Sequence, residues 1–322
     1  MVEVISAATG GAVAETSDEI RFRAPLTYSA QQRAVTTSDY KTLILNEFPD
    51  ISDVGVFGGQ DLSPPRFGYV AIAMVSDNYD AVTDARKQDV IDFVNTKCAI
   101  TITPIAVDPQ FSYLELDTTV LYDPTLTSKA PSDLELSVLS AIKSYTTTNV
   151  DGFDKTVYYS KLIAAIDEAD ISIISNDTSL KIYRLLQPSS TVPFEVSVDF
   201  GNPIYDSATL SVPSHDIRDQ ASLVSTFFTY EGKRCLMEDN GSGIILISTE
   251  MDGRHQIVNP NVGTVDYATG QVNISAGIIS GFEGEGIRLY ATLATKNISA
   301  VRNTVLVMRD NDINIKMSSS KG

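Results

Sequence analysis

The side chains best suited to acid–base or nucleophilic chemistry near neutral pH are two histidines, His215 and His255. Both lie in polar, turn-rich stretches, and no Gly-x-Ser-x-Gly elbow accompanies them, so both read as solvated loop residues. Glu115 and Asp117 sit on an alternating stretch and share one face of a strand, expected to be the solvent face. Paired carboxylates could serve a glycosidase, but such enzymes also offer aromatic platforms and this chain has no tryptophan. The run from Gly281 to Gly286 has the wrong glycine spacing for a dinucleotide turn and reads as a hairpin loop. Asp310-Asn311-Asp312-Ile313-Asn314 opens like a calcium loop, yet Ile315 and Lys321 stand where that loop needs glycine and glutamate. Cys98 and Cys235 are far apart; they make neither a disulfide framework nor a zinc site, and read as buried small hydrophobes in a reducing compartment. The sequons at Asn176, Asn240, Asn273 and Asn297 would matter only in a secreted protein, and no secretory signal is visible. The expectation is a chain without catalytic residues, cofactor or metal: a scaffold or binding module.

A chain of 322 residues suggests two or three domains. Its net charge of -17 disfavours nucleic acid and anionic membranes as partners, because an acidic surface repels phosphate. Residues 1–36 read as an arm without its own core, with Pro25 stopping any helix there. From Thr37, periodicity predicts a helix carrying Tyr40, Leu43 and Ile44, capped by Thr37 or Ser38 and ended by Pro49. Strands follow at Val54–Phe57 and Tyr69–Val75, then a helix near 81–95, then a strand carrying Ile100, Ile102, Ile105 and Val107. That order suggests a ferredoxin-like split βαβ module over 37–108.

A second module is expected over 109–188. It has a long strand from Phe111 to Tyr122, a helix opened by a Ser132/Glu135 capping box, and a helix carrying Leu162 and Ile166. Strands at Ile171–Ile174 and Leu180–Leu186 close it. Tyr40-x-x-Leu43-Ile44 and Tyr159-x-x-Leu162-Ile163 hint at duplication. Residues 189–322 are β-rich, with strands expected at 194–200, 208–212, 223–230, 244–248, 263–265, 271–274, 287–294 and 305–308. Turn signals such as Asp239-Asn240-Gly241 and Thr269-Gly270 punctuate them, which argues for an antiparallel sandwich or barrel. The fold class is thus α+β: two ferredoxin-like modules, then a mainly antiparallel β domain.

One stretch carries a family signal. Ala24-Pro25, Arg33-Ala34-Val35-Thr36-Thr37-x-Asp39-Tyr40, Phe48-Pro49-Asp50, Gly58-Gly59 and Pro64-Pro65-x-x-Gly68-x-Val70 occur in order. Together they resemble the baseplate J-like wedge proteins of contractile-tailed phages, and among these the large ring-forming wedge proteins of T-even-like phages. The resemblance implies a structural protein of the virion tail baseplate, assembled in the bacterial host cytoplasm. It implies homodimers, a ring around the tail hub, and contacts with other wedge and hub proteins, with no small-molecule substrate. Members are usually longer at the N-terminus, so a C-terminal fragment with a non-native Met1 is expected.

The same motifs shape a loop from Gly58 to Gly68, with Gly59, Pro64, Pro65 and Phe67 between, which exceeds an ordinary hairpin and is the candidate interaction loop. The alternatives are a receptor- or carbohydrate-binding tail module, with Tyr267 and Tyr290 as sugar platforms, and a polysaccharide hydrolase.

Overall fold

The computed structural model describes residues 17–62, 64–76, 81–206, 221–251 and 254–320. His215 and the strand expected at 208–212 lie outside them. The fold is mixed α+β, mostly strands in sheets with few helices, and among the described residues no sheet closes into a barrel. The chain divides into two compact units. Unit 1 comprises residues 1–110, 152–154 and 300–305; unit 2 comprises 111–151, 155–299 and 306–322.

Unit 1 begins with α1 (Ser17–Ala30), which runs through Pro25 rather than stopping there. An internal proline forfeits one helix hydrogen bond and strains the preceding turn. The helix is held by docking instead: Ala30 is buried, and Asn46 Nδ2 on the next helix donates to Thr27 Oγ1 at 2.9 Å. That next helix, α2 (Thr37–Glu47), is capped by Thr36, one residue before the expected Thr37. Thr36 Oγ1 accepts from Asp39 N at 3.3 Å, and Asp39 Oδ2 accepts from Thr36 N at 2.8 Å, a reciprocal capping box. These bonds, with Arg33 nearby, hold the Asp39 carboxyl below its ordinary pKa.

Strands β1 (Ile51–Gly58) and β2 (Tyr69–Ser76) pair antiparallel. Helix α3 (Asp84–Asn95) then crosses over to β3 (Thr103–Val107), which lies parallel to β2. The observed order, helix–strand–strand–helix–strand, is the one the periodicity predicts. Tyr40, Leu43 and Ile44 of α2, Val54 of β1, Ile72 and Met74 of β2, and Val90 and Val94 of α3 form one buried apolar cluster. Each large aliphatic in it contributes about 1.5–3 kcal/mol by leaving water. Phe48 closes the cluster, its ring edge-on to Phe93 at 5.6 Å.

Unit 2 opens on β4 (Gln110–Tyr122), α4 (Pro131–Asn149), β5 (Thr156–Val157), α5 (Tyr159–Asp167) and β6 (Ile173–Leu186). The expected Ser132 capping box does not form: Ala130 is the cap residue and Pro131 takes the first helical position, where its missing N–H costs nothing. The two short strands expected at 171–174 and 180–186 are one strand, β6, antiparallel to β4.

Among the described residues twelve strands follow: β7 (Phe194–Asp199), β8 (Leu223–Ser225), β9 (Phe228–Tyr230), β10 (Lys233–Asp239), β11 (Ile244–Met251), β12 (Arg254–Asp266), β13 (Gln271–Ala276), β14 (Ile279–Phe282), β15 (Ile287–Ala291), β16 (Ile298–Ser299), β17 (Thr304–Val307) and β18 (Ile313–Ser319). From β4 the main sheet continues through β6, β15, β8, β10, β11, β12 and β13 to β7. The sheet is therefore continuous across residue 188. The last strand, β18, lies parallel to β4. Sequence reasoning sees only a fragment of β12, because Pro260 interrupts its pattern. The register against β11 shifts between Ile245 and Ile247 and again before Ser248, and such irregularities are where a strand tolerates proline.

Candidate interaction surface and the polar centre of the large sheet

The Gly58–Gly68 loop is built by the ends of β1 and β2. After Gly58 the chain makes one 3-10 turn over Gly59–Asp61. The Gly59 carbonyl accepts from Leu62 N at 3.3 Å and Arg66 N at 2.8 Å, folding the loop back on itself. A Cβ on Gly59 would come within 2.1 Å of the Arg66 carbonyl oxygen, so only glycine fits. Gly68 has φ +81°, and its carbonyl accepts from Thr103 N at 2.9 Å. Between these fixed points Pro64 and Pro65 are exposed, and Phe67 is 82% exposed.

Unit 2 carries a different arrangement, a polar centre that sequence reasoning did not assemble. Tyr113 of β4, Tyr183 of β6 and Tyr290 of β15 lie side by side across three paired strands, with ring centroids 5.2 and 5.3 Å apart. Arg288 lies over the Tyr183 ring and Arg309 over the Tyr113 ring, at 4.7 and 4.0 Å. Arg288 Nη1 donates to Asp312 Oδ1 at 2.8 Å and to Glu115 Oε2 at 3.2 Å. Tyr183 Oη donates to Asp312 Oδ2 at 2.7 Å, and Tyr290 Oη to Glu115 Oε2 at 2.6 Å. Burial, reinforced by the Glu115 bond, pushes the Tyr290 hydroxyl up to about 12. Burial and Asp312 raise Tyr183 as well. Burial works against the Arg288 charge, but Tyr290, Tyr183 and Asp312 outweigh it and the guanidinium is held more firmly protonated.

These contacts decide several sequence expectations. Glu115 and Asp117 share the less buried face of β4, as expected, but Glu115 is largely shielded there and accepts from Arg288 and Tyr290. Asp117 is paired to Lys181 at 3.2 Å and accepts from Asn314 at 2.9 Å. Asp312, in the segment that opens like a calcium loop, is spent on Tyr183 and Arg288. His255 sits on β12, not in a loop, and its Nε2 meets the buried Glu238 carboxylate, which Ser248 also contacts. Serine and histidine thus share one carboxylate oxygen; a hydrolytic triad would need the imidazole between serine and acid. Tyr267, a candidate sugar platform, donates its hydroxyl to Asp239 at 2.6 Å. Cys235 is buried as expected, and Cys98 is only half-buried. Among the described residues no group of three or more His, Cys, Asp or Glu could hold a metal, and no helix is long and apolar enough to cross a membrane.

Comparison with known proteins adds sequence relatedness to this geometry. Residues 36–107 match the family model described as baseplate structural protein gp6, C-terminal domain I. Residues 110–185 match the model for C-terminal domain III of the same protein. The chain is 23% identical over 253 residues to baseplate wedge protein gp6 of Enterobacteria phage T4, covering 77% of this chain and 36% of that relative. It therefore spans about a third of the relative's length. A solved baseplate of the anti-feeding prophage aligns over 55% of this chain and 39% of its own, at 18% identity and a TM-score of 0.37. The two matched segments and the curated relative support a structural component of a baseplate, of the wedge kind found in contractile phage tails.

Proposed function

We propose that this chain is a non-catalytic wedge component of a contractile-tail baseplate, related to the baseplate J-like proteins, that self-associates as a homodimer and within a ring around the tail hub. One observation carries the reading: two C-terminal domain models of a baseplate structural protein match in succession over residues 36–107 and 110–185. In this reading α2 to β3 is a ferredoxin-like split βαβ module, and the loop bearing Gly58, Gly59, Pro64, Pro65, Phe67 and Gly68 makes an assembly contact. Other wedge and hub proteins are its partners. Assembly takes place in the host cytoplasm, without cofactor, nucleic acid, membrane or small-molecule substrate. A net charge of -17 opposes casual association, so a stable dimer needs a well-packed, largely apolar patch of about 1,600 Å² in total.

The carbohydrate-binding alternative gains little from the geometry, because the Tyr290 ring lies against Tyr183 at 5.3 Å and both Tyr267 and Tyr290 are half-buried, their hydroxyls tied to Asp239 and Glu115. The test is light scattering after size exclusion, at micromolar concentration and in low and high salt. The wedge reading expects a dimer that survives high salt, and co-migration when wedge proteins are added. A monomer that joins no wedge protein would sink it, and so would turnover of peptidoglycan abolished by changing one carboxylate.

A further inference from the structure

We infer that the end of the unit 1 sheet marked by Val35, Phe67 and Ile100 docks an acidic, apolar segment of another protein. The setting rests on the wedge reading above; the chemistry of the partner rests on the geometry alone. Three separate segments meet at this end. Ala34 N donates to Lys97 O at 3.0 Å, which lays the α1–α2 connection beside the turn after α3. Thr103 N donates to Gly68 O at 2.9 Å, which lays the end of the long loop beside the start of β3. Ile102 N closes on Ala99 O at 2.9 Å, turning the chain sharply at Ile100. Val35, Phe67 and Ile100 are consequently 76%, 82% and 105% exposed. Single exposed hydrophobes are ordinary; three large ones from three adjoining segments mark a contact surface. The turns holding them are hydrogen-bonded, so little ordering is needed on binding.

Charge selects the partner. The same three segments carry Arg33, Arg66 and Lys97, and among the described residues none of these cations is ion-paired to a carboxylate. Arg33 reaches Gln31, Lys97 reaches Gln32 and the Phe93 ring, and Arg66 lies over Tyr69. The acids on these segments and the helix they open are Asp39, spent on the α2 cap, Glu47 at the far end of α2, and Asp61 in the 3-10 turn. On a chain of net charge -17 this is a locally basic rim around an apolar centre. A two-fold contact between copies would set Arg33, Arg66 and Lys97 against a second basic rim. A segment carrying carboxylates beside leucine or phenylalanine meets both parts of the surface.

The experiment uses the full chain and two fluorescein-labelled probes: a peptide of glutamate, leucine and phenylalanine, and its counterpart with lysine for glutamate. Anisotropy at about 0.1 M salt should show saturable binding of the acidic peptide only. Phe67→Asp with Ile100→Asp should weaken it about thirty-fold or more, and Arg33→Glu with Arg66→Glu should weaken it and flatten its salt dependence. Circular dichroism checks each fold, and the arginine pair carries the test if the apolar pair unfolds. Equal binding of both peptides, no binding at about 1 mM, or no effect of either pair would overturn the inference. Loss of dimer in Phe67→Asp/Ile100→Asp would assign the face to self-contact and also overturn it, while leaving the wedge reading standing. A chain that binds the acidic peptide but joins no wedge protein would sink the wedge reading alone.

Discussion

Among the described residues unit 1 and unit 2 both hide hydrocarbon from water, but unit 2 hides charged side chains as well. The unit 1 core gathers Tyr40, Leu43, Ile44, Val54, Ile72, Met74, Val90 and Val94, almost wholly hydrocarbon. Unit 2 buries Arg184, Glu238, Asp239 and Asp312 among its strands. The contrast follows from how far each sheet must reach along the chain. In unit 1, β1 pairs with β2 across one loop, and β2 reaches β3 through one helix. In unit 2, β6 pairs with β15, setting Tyr183 against Tyr290. Strands so distant meet late, and a one-residue slip would turn every side chain to the other face. Hydrocarbon tolerates a slip more readily than a charge that must find its partner. The unit 2 polar centre therefore selects register as well as stabilising, a role best tested by mutation.

The largest expected effect breaks that centre. Asp312→Ala leaves the fully buried Tyr183 hydroxyl without its acceptor and takes one of two carboxylates from Arg288, which keeps Glu115; the stranded hydroxyl and the lost charged bond together should cost about 3–5 kcal/mol. Ile72→Ala in unit 1 should cost about 2–5 kcal/mol through a cavity instead. The two differ in where they act. Hydrogen exchange should show Asp312→Ala loosening β4, β6 and β15, and Ile72→Ala loosening β1 to β3. A cost below about 1 kcal/mol for Asp312→Ala would mean the polar centre does not hold the large sheet.

A second change tests a buried charge that is only partly satisfied. Arg184 is buried; its Nη2 reaches the Asp199 carbonyl, its Nε has no partner, and burial pulls its pKa down to about 10. Such a group stabilises weakly or not at all. Arg184→Met should leave stability unchanged or raise it by about 1–2 kcal/mol in urea melts. A loss like that of Asp312→Ala would extend the register role to this arginine.

The same contrast explains what the sequence reveals. Helix and strand order in unit 1 is legible because its apolar periods are local, from Tyr40 through Val94. The α2 cap is displaced only to the preceding residue, Thr36. Pro25 misleads because docking of α1 on α2 outweighs the lost hydrogen bond. In unit 2 the short strands are visible as hydrophobic runs, but β10 is missed: Arg234, Glu238 and Asp239 disguise it as polar. The partners of Glu238 (Ser248 and His255) and of Asp239 (Tyr267) lie on other strands or in later turns, where no spacing rule could find them. Of the proposed contact face, Phe67 stands out through its Gly-Pro loop. Ile100 reads as an inward strand residue, because alternation with Ile102 continues past the true start of β3 at Thr103.

The smallest effect concerns charge at the unit 2 surface. Asp170 Oδ2 accepts from Lys129 Nζ at 2.7 Å, while Oδ1 accepts from Ser172 N and Oγ at 3.0 and 2.8 Å. Lys129 first, then the two Ser172 bonds, hold this carboxyl at about 2 against an ordinary 3.8. A folded-state pKa below the unfolded one gives stability that is present above the unfolded value and lost as pH falls through the folded one. Lys129 is half-exposed, so solvent screens the pair, and Lys129→Ala should cost only about 0.5–1 kcal/mol at pH 7. The difference from the parent chain should hold down to about pH 4, shrink below it and vanish near pH 2. About 1 M salt should shrink it at pH 7 too, since the Debye length is then about 3 Å. The Asp312→Ala deficit, set inside the sheet, should persist in that salt. If salt erased both deficits alike, screening rather than burial would govern them, and the contrast between a charge-braced unit 2 and a hydrocarbon-filled unit 1 would not hold.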